Sequence, residues 1–370
     1  MTRGRFDITA ITDPGAFRGI RDDLNRLAED NGFYTPWFCW DWFDLCLRHG
    51  EAGALHILTV RRDGALVAVA PFLVRSERYK GVVPARIISF IGGNRSPLKG
   101  IVFGKADDTV QREVTTLVLE YLLRTFGGWD ILELEPIVES NDGGSMEALL
   151  ERQGLSFRSY VSCANRFCDV TDASFDNFFE RLPQSTRKDI NYCRRRLEKN
   201  GSLVFQIITD TASLDQCLDV YDAVRAKSWK AVERDRDFNR ELMHVAAVKG
   251  WLRLGILSYD GTPIAVQKWI VADGRAYIYD VLYDEEYKKH SPGKILTSMM
   301  FQHAIDNDGV AYVDYLRGDE PYKQEWTPSI RNRIGIDAYN KSVPGCIAAI
   351  LMKKILPLVK KNTDSASAHK

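Results

Sequence analysis

The residues best suited to chemistry lie in the sequence His290-Ser291-Pro292-Gly293-Lys294, which follows a strand-like segment and precedes an apolar, helix-like run. A chain that turns from a strand into a helix leaves backbone N–H groups unpaired at the helix N-terminus, where the helix dipole favours negative charge. The segment therefore predicts an anion site, with the pyrophosphate of a large cofactor as the expected ligand and Lys294 as a counter-charge. The alternative is a helix start that needs no ligand, with Ser291 as the N-cap and Pro292 as the first helical residue.

Asp280 lies on the strand-like segment at 276–282, just before that turn. Alternation along a strand places Asp280 on one face together with Ile278 and Leu282. A carboxylate between apolar neighbours on a buried strand is expected to have a raised pKa, as a general base for an amine requires. The alternative is an ion pair with a basic residue of the neighbouring strand, such as Lys268.

A second cluster has the pattern Asp314-x-x-x-Gly318-x-x-x-Tyr322-Lys323-x-x-Trp326. Asp314 lies on the strand-like run at 312–316, and Gly318 permits a tight exit from it. Tyr322 could act as an acid, and Lys323 could hold an acidic acceptor or a phosphate. The competing interpretations are a structural ion pair for Asp314 and simple packing for Trp326, of which packing is favoured for the tryptophan.

Two stretches of the chain show the same order of predicted elements. In each, β-branched runs are joined across an Asp-Gly turn, at Asp63-Gly64 and at Asp260-Gly261, the strongest short-range signal for a β-hairpin. A strand, an amphipathic helix and another strand come next, at 86–91, 109–125 and 129–134 in one half and at 276–282, 293–307 and 312–316 in the other. The expected fold is α/β (α+β), with two domains that each contain a mixed, mainly antiparallel sheet flanked by helices.

The expected domain boundaries derive from this duplication. The first domain spans residues 1–170 and the second spans 171–342. Residues 343–370 are expected to form a basic amphipathic helix and a flexible tail.

Composition excludes several classes of function. The 50 basic and 50 acidic residues balance, which argues against duplex nucleic acid as a partner. The seven cysteines contain no Cys-x-x-Cys pair and the six histidines no His-x-x-x-His pair, so no metal site is expected. No stretch reaches the ~18 apolar residues of a membrane span, and the N-terminus lacks an apolar signal core. These patterns indicate a cytoplasmic protein, with contact to the inner face of a membrane possible through the basic tail.

Four features together resemble a known family. They are the Arg-rich helix that begins at Arg187, the hairpin Asp260-Gly261-x-Pro263-Ile264-Ala265, the sequence Tyr287-x-x-x-Ser291-Pro292-Gly293, and the pattern from Asp314 to Trp326. The chain is similar here to the tandem GNAT acyltransferases grouped as CelD-like, or cellulose-biosynthesis, acetyltransferases, which are relatives of the FemAB peptidyltransferases. The first half resembles the degenerate N-terminal GNAT-like copy of such proteins.

The resemblance implies an N- or O-acyltransferase that moves an acyl group from acetyl-CoA or another acyl-CoA to an amine or hydroxyl by direct attack. It further implies a small-molecule or glycan acceptor, in surface polysaccharide or glycolipid assembly. The sequence departs from the common GNAT loop, Gln/Arg-x-x-Gly-x-Gly/Ala, because it has one glycine in place of two. One donor site is expected, in the second domain.

The implied site has three groups of residues. Asp280 and Asp314 are the candidate bases, and Tyr322 is the candidate acid for the departing thiolate. The residues expected to bind the cofactor are Val281, Tyr283, His290, Ser291, Gly293 and Lys294. Those expected to bind the acceptor are Trp229, Lys268 and Lys323.

Two other functions remain open at the level of sequence. A FemAB-like transferase would use aminoacyl-tRNA and bind it through the basic helix at 187–199, in which Asp189 and Glu198 offset several arginines and lysines. That helix could also bind a coenzyme A 3′-phosphate or an anionic acceptor, and such faces are more often simply solvated. The second alternative is an inactive GNAT-fold protein that serves as a binding scaffold.

Overall fold

The computed structural model describes residues 6–30, 35–137, 142–171, 174–230 and 235–355, without the side chains of 142–145 and 354–355. The chain divides into two units. One consists of the described parts of Met1–Cys163 and Asn332–Lys370, and the other of the described parts of Ala164–Arg331. Within the described residues, none of the helices is both long and apolar enough to cross a membrane.

In chain order, the main elements are β1 (Phe6–Ile11), α1 (Pro14–Gly19), α2 (Arg21–Asp30), α3 (Trp40–Arg48), β2 (Ala54–Arg62), β3 (Ala65–Tyr79), β4 (Val83–Phe90), β5 (Val102–Phe103), α4 (Asp108–Glu120), β6 (Ile131–Ile137), α5 (Asp142–Arg152), β7 (Ser156–Asp169), α6 (Phe175–Arg181), α7 (Gln184–Asn200), β8 (Leu203–Ile208), α8 (Thr211–Ala226), α9 (Arg236–Val248), β9 (Leu252–Tyr259), β10 (Thr262–Ala272), β11 (Arg275–Tyr283), α10 (Pro292–Asp306), β12 (Tyr312–Asp314), α11 (Pro321–Gln324), β13 (Ser329–Tyr339) and α12 (Val343–Ile350).

The first unit contains strands in the order β1-β2-β3-β4-β6-β13, with β5 paired to β3 and the start of β7 beside β13. The pairing is antiparallel except between β4 and β6. Its core lies between the sheet and α4, whose apolar side contributes Val114, Val118 and Leu119. The unit is therefore a mixed, mainly antiparallel sheet flanked by helices.

The second unit contains strands in the order β12-β11-β10-β9-β8, with the end of β7 beside β12. Only β11 and β12 pair in parallel. Helix α10 packs on β9, β10 and β11, and it buries Leu296, Met300 and Phe301 at helical spacing. Each such side chain contributes about 1.5–3 kcal/mol when fully buried. Gly255 of β9 allows this close approach, since a Cβ there would lie 2.3 Å from the Met300 sulfur.

The strand β11 loses one of its two neighbours part of the way along. It pairs with β10 up to Tyr283 but with β12 only up to Tyr277. After Asp314 the chain runs beside β7 instead, where the Tyr315 amide donates to the carbonyl of Arg166. The last residues of β11 therefore have an edge without a strand partner in the described structure, and this edge leads directly to the start of α10.

The predicted duplication is confirmed at the level of element order. Both Asp-Gly hairpins form, and Asp63 and Asp260 adopt left-handed backbone conformations, with φ of 50° and 48°. The predicted strands and helices overlap β4, α4, β6 and β11, α10, β12. The fold class, α/β (α+β) with mixed, mainly antiparallel sheets flanked by helices, is confirmed.

The units divide at 163/164 and 331/332, whereas the sequence predicts domain boundaries at 170/171 and 342/343. The later part of β13 lies in the first unit because it pairs with β6. Of the predicted C-terminal segment, α12 docks through Ala348 against a core that includes Tyr79 and Ile87. Residues 356–370, predicted to be a flexible tail, lie outside the described residues.

Candidate active site

A cavity of about 500 Å³ opens beside the unpaired edge of β11. Its walls are the end of β11, the first turn of α10 and the segment around α11. The lining residues are Trp229, Val281, Tyr283, Glu285, Lys288, Ser291, Pro292, Gly293, Lys294, Thr297, Glu320, Tyr322 and Trp326. The turn before α10 and the cluster that contains Tyr322 therefore meet at one cavity in the second unit.

The start of α10 contributes backbone donors to this wall. Ser291 is the N-cap residue, with φ 50° and ψ 43°, and its side chain makes no capping hydrogen bond. Pro292 has no N–H, and the first intrahelical bond runs from the Ile295 amide to the Ser291 carbonyl. The Gly293 and Lys294 amides come before that bond and are the donors that a helix start leaves for a ligand. The expected N-cap and Pro-N1 positions are confirmed, but Ser291 does not cap the helix through its side chain.

A buried glutamine fixes the position of this helix start. Gln267 of β10 is fully buried, and its amide nitrogen donates to the Gly293 carbonyl at 3.0 Å and to the Thr297 hydroxyl at 2.7 Å. Trp269 in turn donates to the Gln267 oxygen at 2.9 Å. Gly293 also packs tightly, since a Cβ there would lie 3.1 Å from the Tyr283 ring. The first turn of α10 is thus held against β10 and β11 by buried contacts.

Lys294 is held by two carboxylates. Its Nζ lies 3.3 Å from Asp189 of α7 and 2.9 Å from Glu325. Burial opposes the charged amine, but Glu325 and Asp189 together raise the pKa of Lys294 above its ordinary value. The predicted counter-charge is present at the cavity, and it is already neutralised by acidic neighbours.

The expectation of a raised pKa for Asp280 is wrong. Burial raises the pKa of this carboxyl group, but Lys268, Lys230 and Arg225 outweigh burial and bring it to about 2. Lys268 Nζ lies 3.1 Å from one carboxylate oxygen, and the Tyr221 hydroxyl donates to the same oxygen at 2.7 Å. The alternative interpretation, an ion pair with Lys268, is confirmed.

The alternation predicted for β11 is interrupted by a β-bulge. Lys268 pairs with Asp280 and Trp269 pairs with Ile278, so Tyr279 is an extra residue in the register of the two strands. After such an extra residue, the side chains lie on the opposite faces of the sheet from those that simple alternation predicts. Ile278 consequently packs in the same core as Val281, and not on the side of Asp280 as expected.

Asp314 and Lys268 are both committed to internal contacts. Asp314 is buried, accepts from Asn165 Nδ2 at 2.6 Å and pairs with Arg331 at 2.7 Å. Lys268 is fully buried and donates to Asn239 at 2.5 Å. Asp280, Asp314 and Lys268 are not among the lining residues of the cavity.

Tyr322 is the predicted catalytic residue that lines the cavity. Burial, followed by the charges of Glu320 and Asp280, raises its pKa well above the ordinary value, so the hydroxyl is protonated at neutral pH. Lys323, a predicted acceptor-binding residue, is buried and does not line the cavity. It donates to the Arg317 carbonyl and pairs with Glu320 at 2.7 Å, and burial lowers its pKa.

Of the remaining residues predicted for the site, some line the cavity and others do not. Trp229 is half exposed and lines the cavity together with Val281, Tyr283 and Ser291, whereas His290 does not line it. Trp326, expected to be a packing residue, is buried and stacks on Phe301 at 5.1 Å, and it also lines the cavity.

Several residues that shape the site carry no signal in the sequence. Glu320 lies inside the second cluster, but nothing in its local context distinguishes it from other surface acids. Gln267 adjoins Lys268 on a strand and has no pattern of its own. Asp189 and Glu325 reach Lys294 from distant parts of the chain, and no local pattern connects them. Among the described residues, no group of three or more His, Cys, Asp or Glu side chains could hold a metal ion.

Solved structures share the fold over nearly the whole chain. The crystal structure of FemX superposes with a TM-score of 0.64 and 11% identity, covering 90% of this chain and 97% of that one. A conserved protein of unknown function from Bacteroides thetaiotaomicron gives 0.54 and 11%, covering 90% and 100%. The C-terminal domain of a putative lysylphosphatidylglycerol synthetase from Agrobacterium fabrum gives 0.52 and 12%, covering 89% and 96%. At these identities the likeness concerns the fold.

The family comparison concerns the second unit. None of the curated proteins matches the sequence. Residues 184–324, however, match the family described as an acetyltransferase (GNAT) domain. This segment runs from the start of α7 to the end of α11 and contains most of the residues that line the cavity. Over residues 184–324 the second unit is thus similar to the acetyltransferase (GNAT) domain family, a match that covers less than half of the chain.

Proposed function

We propose that the second unit transfers an acyl group from a pantetheine thioester, with acyl-CoA as the simplest donor, to an amine or hydroxyl acceptor. The observation that supports this most is the cavity between the unpaired edge of β11, the start of α10 and Tyr322. The family match supports acyl transfer in general. Assignment to the CelD-like group, and a role in surface polysaccharide or glycolipid assembly, are proposals that rest on the sequence motifs.

The cavity suits the extended arm of such a donor. The unpaired edge of β11, ending at Val281 and Tyr283, offers backbone groups to amides of the arm and to the thioester carbonyl. Trp229, Trp326 and Tyr283 supply apolar surface for the arm or the acyl chain. Backbone N–H groups directed at the thioester oxygen would stabilise the oxyanion formed during attack.

The reaction proceeds by direct attack of the acceptor on the thioester carbon. A bond forms between the acceptor atom and this carbon, the C–S bond breaks, and Tyr322 donates its proton to the departing sulfur. The acceptor loses a proton to a carboxylate, directly or through water. Glu320 lines the cavity; burial raises its pKa, but Lys323 outweighs burial and lowers it. Because Glu320 is ionised and lines the cavity, it is the proposed proton acceptor in place of Asp280 and Asp314, which do not line it.

Donor binding at this cavity predicts a measurable stabilisation. A donor present at 100 times its Kd should add about 2.7 kcal/mol to the free energy of unfolding. Gly293→Trp is expected to abolish the thermal shift produced by acyl-CoA, because the indole would fill the space beside Tyr283. Ser291→Trp provides a second variant in case the first misfolds, which circular dichroism would reveal.

The matched control is Gly19→Trp in the first unit, where an added Cβ meets no neighbouring atom. This variant should keep the full thermal shift. Full donor binding by both Gly293→Trp and Ser291→Trp would show that the donor binds elsewhere. Absence of a shift in the wild-type protein with acetyl-CoA and long-chain acyl-CoA would contradict the proposed donor.

Peripheral contact with an anionic membrane remains a proposal for the C-terminal segment. On α12, Val343, Ile347 and Ile350 are at least half exposed although they are apolar. The sequence after them contains Lys353, Lys354, Lys360 and Lys361. An apolar stripe next to basic residues is typical of helices that lie at a membrane surface.

A further inference from the structure

Helix α7 presents a continuous basic face to solvent. Lys188, Tyr192, Arg195 and Lys199 succeed one another at spacings of four, three and four residues, so they lie on one side of the helix. All four are exposed, and Tyr192 is 64% exposed. This face is about 16 Å long, from the rise of 1.5 Å per residue. A shallow groove along it is lined by Lys188, Asn191, Tyr192, Arg195, Arg196 and Lys199.

The cations of this face are not neutralised within the described structure. The acidic residues of α7 are used elsewhere, since Asp189 binds Lys294 and Glu198 binds Arg194. Arg187 pairs with Glu180. On α7, the four cations that form no ion pair with any described residue are Lys188, Arg195, Arg196 and Lys199. The face therefore combines these four charges with one exposed aromatic ring.

This basic face adjoins the rim of the cavity. Helix α7 packs against α10 and against the short helical turn Glu285–His290 that precedes α10. Burial lowers the pKa of His290 on that turn, and the charges of Arg196 on α7 and Lys289 on the turn lower it further. Positive charge thus extends from the cavity rim along α7.

The start of α10 fits the arm of a donor better than a full pyrophosphate. It offers the amides of Gly293 and Lys294, but Asp189 and Glu325 lie within salt-bridge distance of the Lys294 amine. Two carboxylates beside one amine leave this position with a net negative charge, which disfavours a doubly charged anion. The cations without an ion pair lie instead on α7. The anionic part of the donor is therefore expected on that helix, outside the cavity.

We propose that the basic face of α7 docks an acidic carrier protein whose phosphopantetheine arm presents the acyl thioester to the cavity. This inference rests on the proposed function, since it names the form in which the donor arrives. The arm is chemically the same in acyl-CoA and in a carrier protein, so both can enter the cavity. The carrier gains additional contacts, because its acidic surface meets Lys188, Arg195 and Lys199 while Tyr192 provides an exposed anchor.

An acidic protein fits this face better than RNA does. The whole chain has 50 basic and 50 acidic residues, so it lacks the positive field that supports RNA binding over many phosphates. A face about 16 Å long matches one helix of a partner. RNA is accordingly the competing ligand that the experiment must distinguish.

The test measures binding of a small acidic acyl carrier protein, carrying a fluorescent label and an octanoyl-phosphopantetheine arm, by anisotropy at low salt. Lys188→Glu/Arg195→Glu/Lys199→Glu is expected to weaken this binding by at least about tenfold. The thermal shift produced by octanoyl-pantetheine, which carries no phosphate, should stay unchanged in the same variant. Lys105→Glu/Arg112→Glu reverses two exposed cations of the first unit and is the matched control, expected to bind like the wild type.

The outcomes separate the docking surface from the proposed function. The docking proposal would be overturned if the triple variant bound the carrier as well as the wild type does, or if the wild type did not bind it at all. In either case, a thermal shift of the wild type with acyl-CoA would still support the proposed function. Tighter binding of unfractionated tRNA, lost in the triple variant, would assign the face to RNA and overturn the carrier. If neither acyl-CoA nor octanoyl-pantetheine shifts the wild-type melting temperature, the proposed function itself fails.

Discussion

Replacing Tyr322 with phenylalanine is expected to lower kcat about 100-fold, with little change in KM, because general acid catalysis typically contributes about 10²–10⁴-fold. Tyr322 lines the cavity, and its raised pKa keeps the hydroxyl protonated at neutral pH, as a general acid for a thiolate requires. The ring itself packs edge-on against Tyr315 at 6.1 Å, and phenylalanine preserves that contact. Steady-state kinetics with an acyl-CoA donor, monitored through thiol release, measure the effect.

The matched control for this substitution is Tyr259→Phe. Tyr259 also contacts another tyrosine ring, that of Tyr287 at 6.3 Å, but it does not line the cavity. It should retain wild-type kcat. Both variants should keep the wild-type melting temperature. A Tyr322→Phe enzyme with more than about half of the wild-type kcat would exclude the hydroxyl as the acid, since that loss is far below the range of general acid catalysis.

Replacing Asp280 with asparagine is expected to destabilise the protein by about 3–5 kcal/mol, the usual cost of breaking a buried ion pair. The substitution leaves Lys268, which is fully buried, without its carboxylate at 3.1 Å. Urea denaturation measures the change in the free energy of unfolding. Asp273→Asn is the matched control, because Asp273 is exposed in a turn with φ 49°, a conformation that asparagine also adopts.

A second substitution separates the charge effect from lost packing. Lys268→Met combined with Asp280→Asn removes both charges and should recover more than half of the lost stability. A loss below about 1 kcal/mol for Asp280→Asn alone would contradict the interpretation of a buried, structural pair.

The same ion pair predicts a dependence of stability on pH. The folded-state pKa of Asp280 is about 2, below its value in an unfolded chain. A depressed carboxyl pKa adds stability that is fully present above the unfolded pKa of about 4. This contribution is lost as the pH falls towards the folded-state value. The wild-type protein should therefore lose more stability over that interval than the Asp280→Asn/Lys268→Met variant.

Local sequence patterns were sufficient to predict the strands and helices, but not to predict the strand face on which every side chain lies. Both Asp-Gly hairpins and the start of α10 at Pro292 could be predicted, because turn geometry and the fixed φ of proline depend on adjacent residues alone. The face of Asp280 could not be predicted. A single extra residue, Tyr279, shifts the alternation, and a bulge of this kind depends on the pairing between two strands.

Ion pairs between residues far apart in the sequence could not be predicted either. Asp314 and Lys294 both resemble reactive groups when only their neighbours in sequence are considered. Their charges are instead compensated by Arg331 and by Asp189 and Glu325, which approach only in the folded chain. The strands β7 and β13 present the same problem, since their pairing partners are remote in sequence.

The sequence by itself determined the order of elements, the two hairpins and the helix start at Pro292, because these depend on local backbone preferences. Only the tertiary structure decided which charged and polar residues face the cavity. Tyr322, Glu320 and Lys294 line the cavity. Asp280, Asp314 and Lys268 do not line it, and they form ion pairs inside the protein. The physical reason is that a buried charge must be compensated within a few ångströms, and the partners that meet this requirement are chosen by the packing of distant segments.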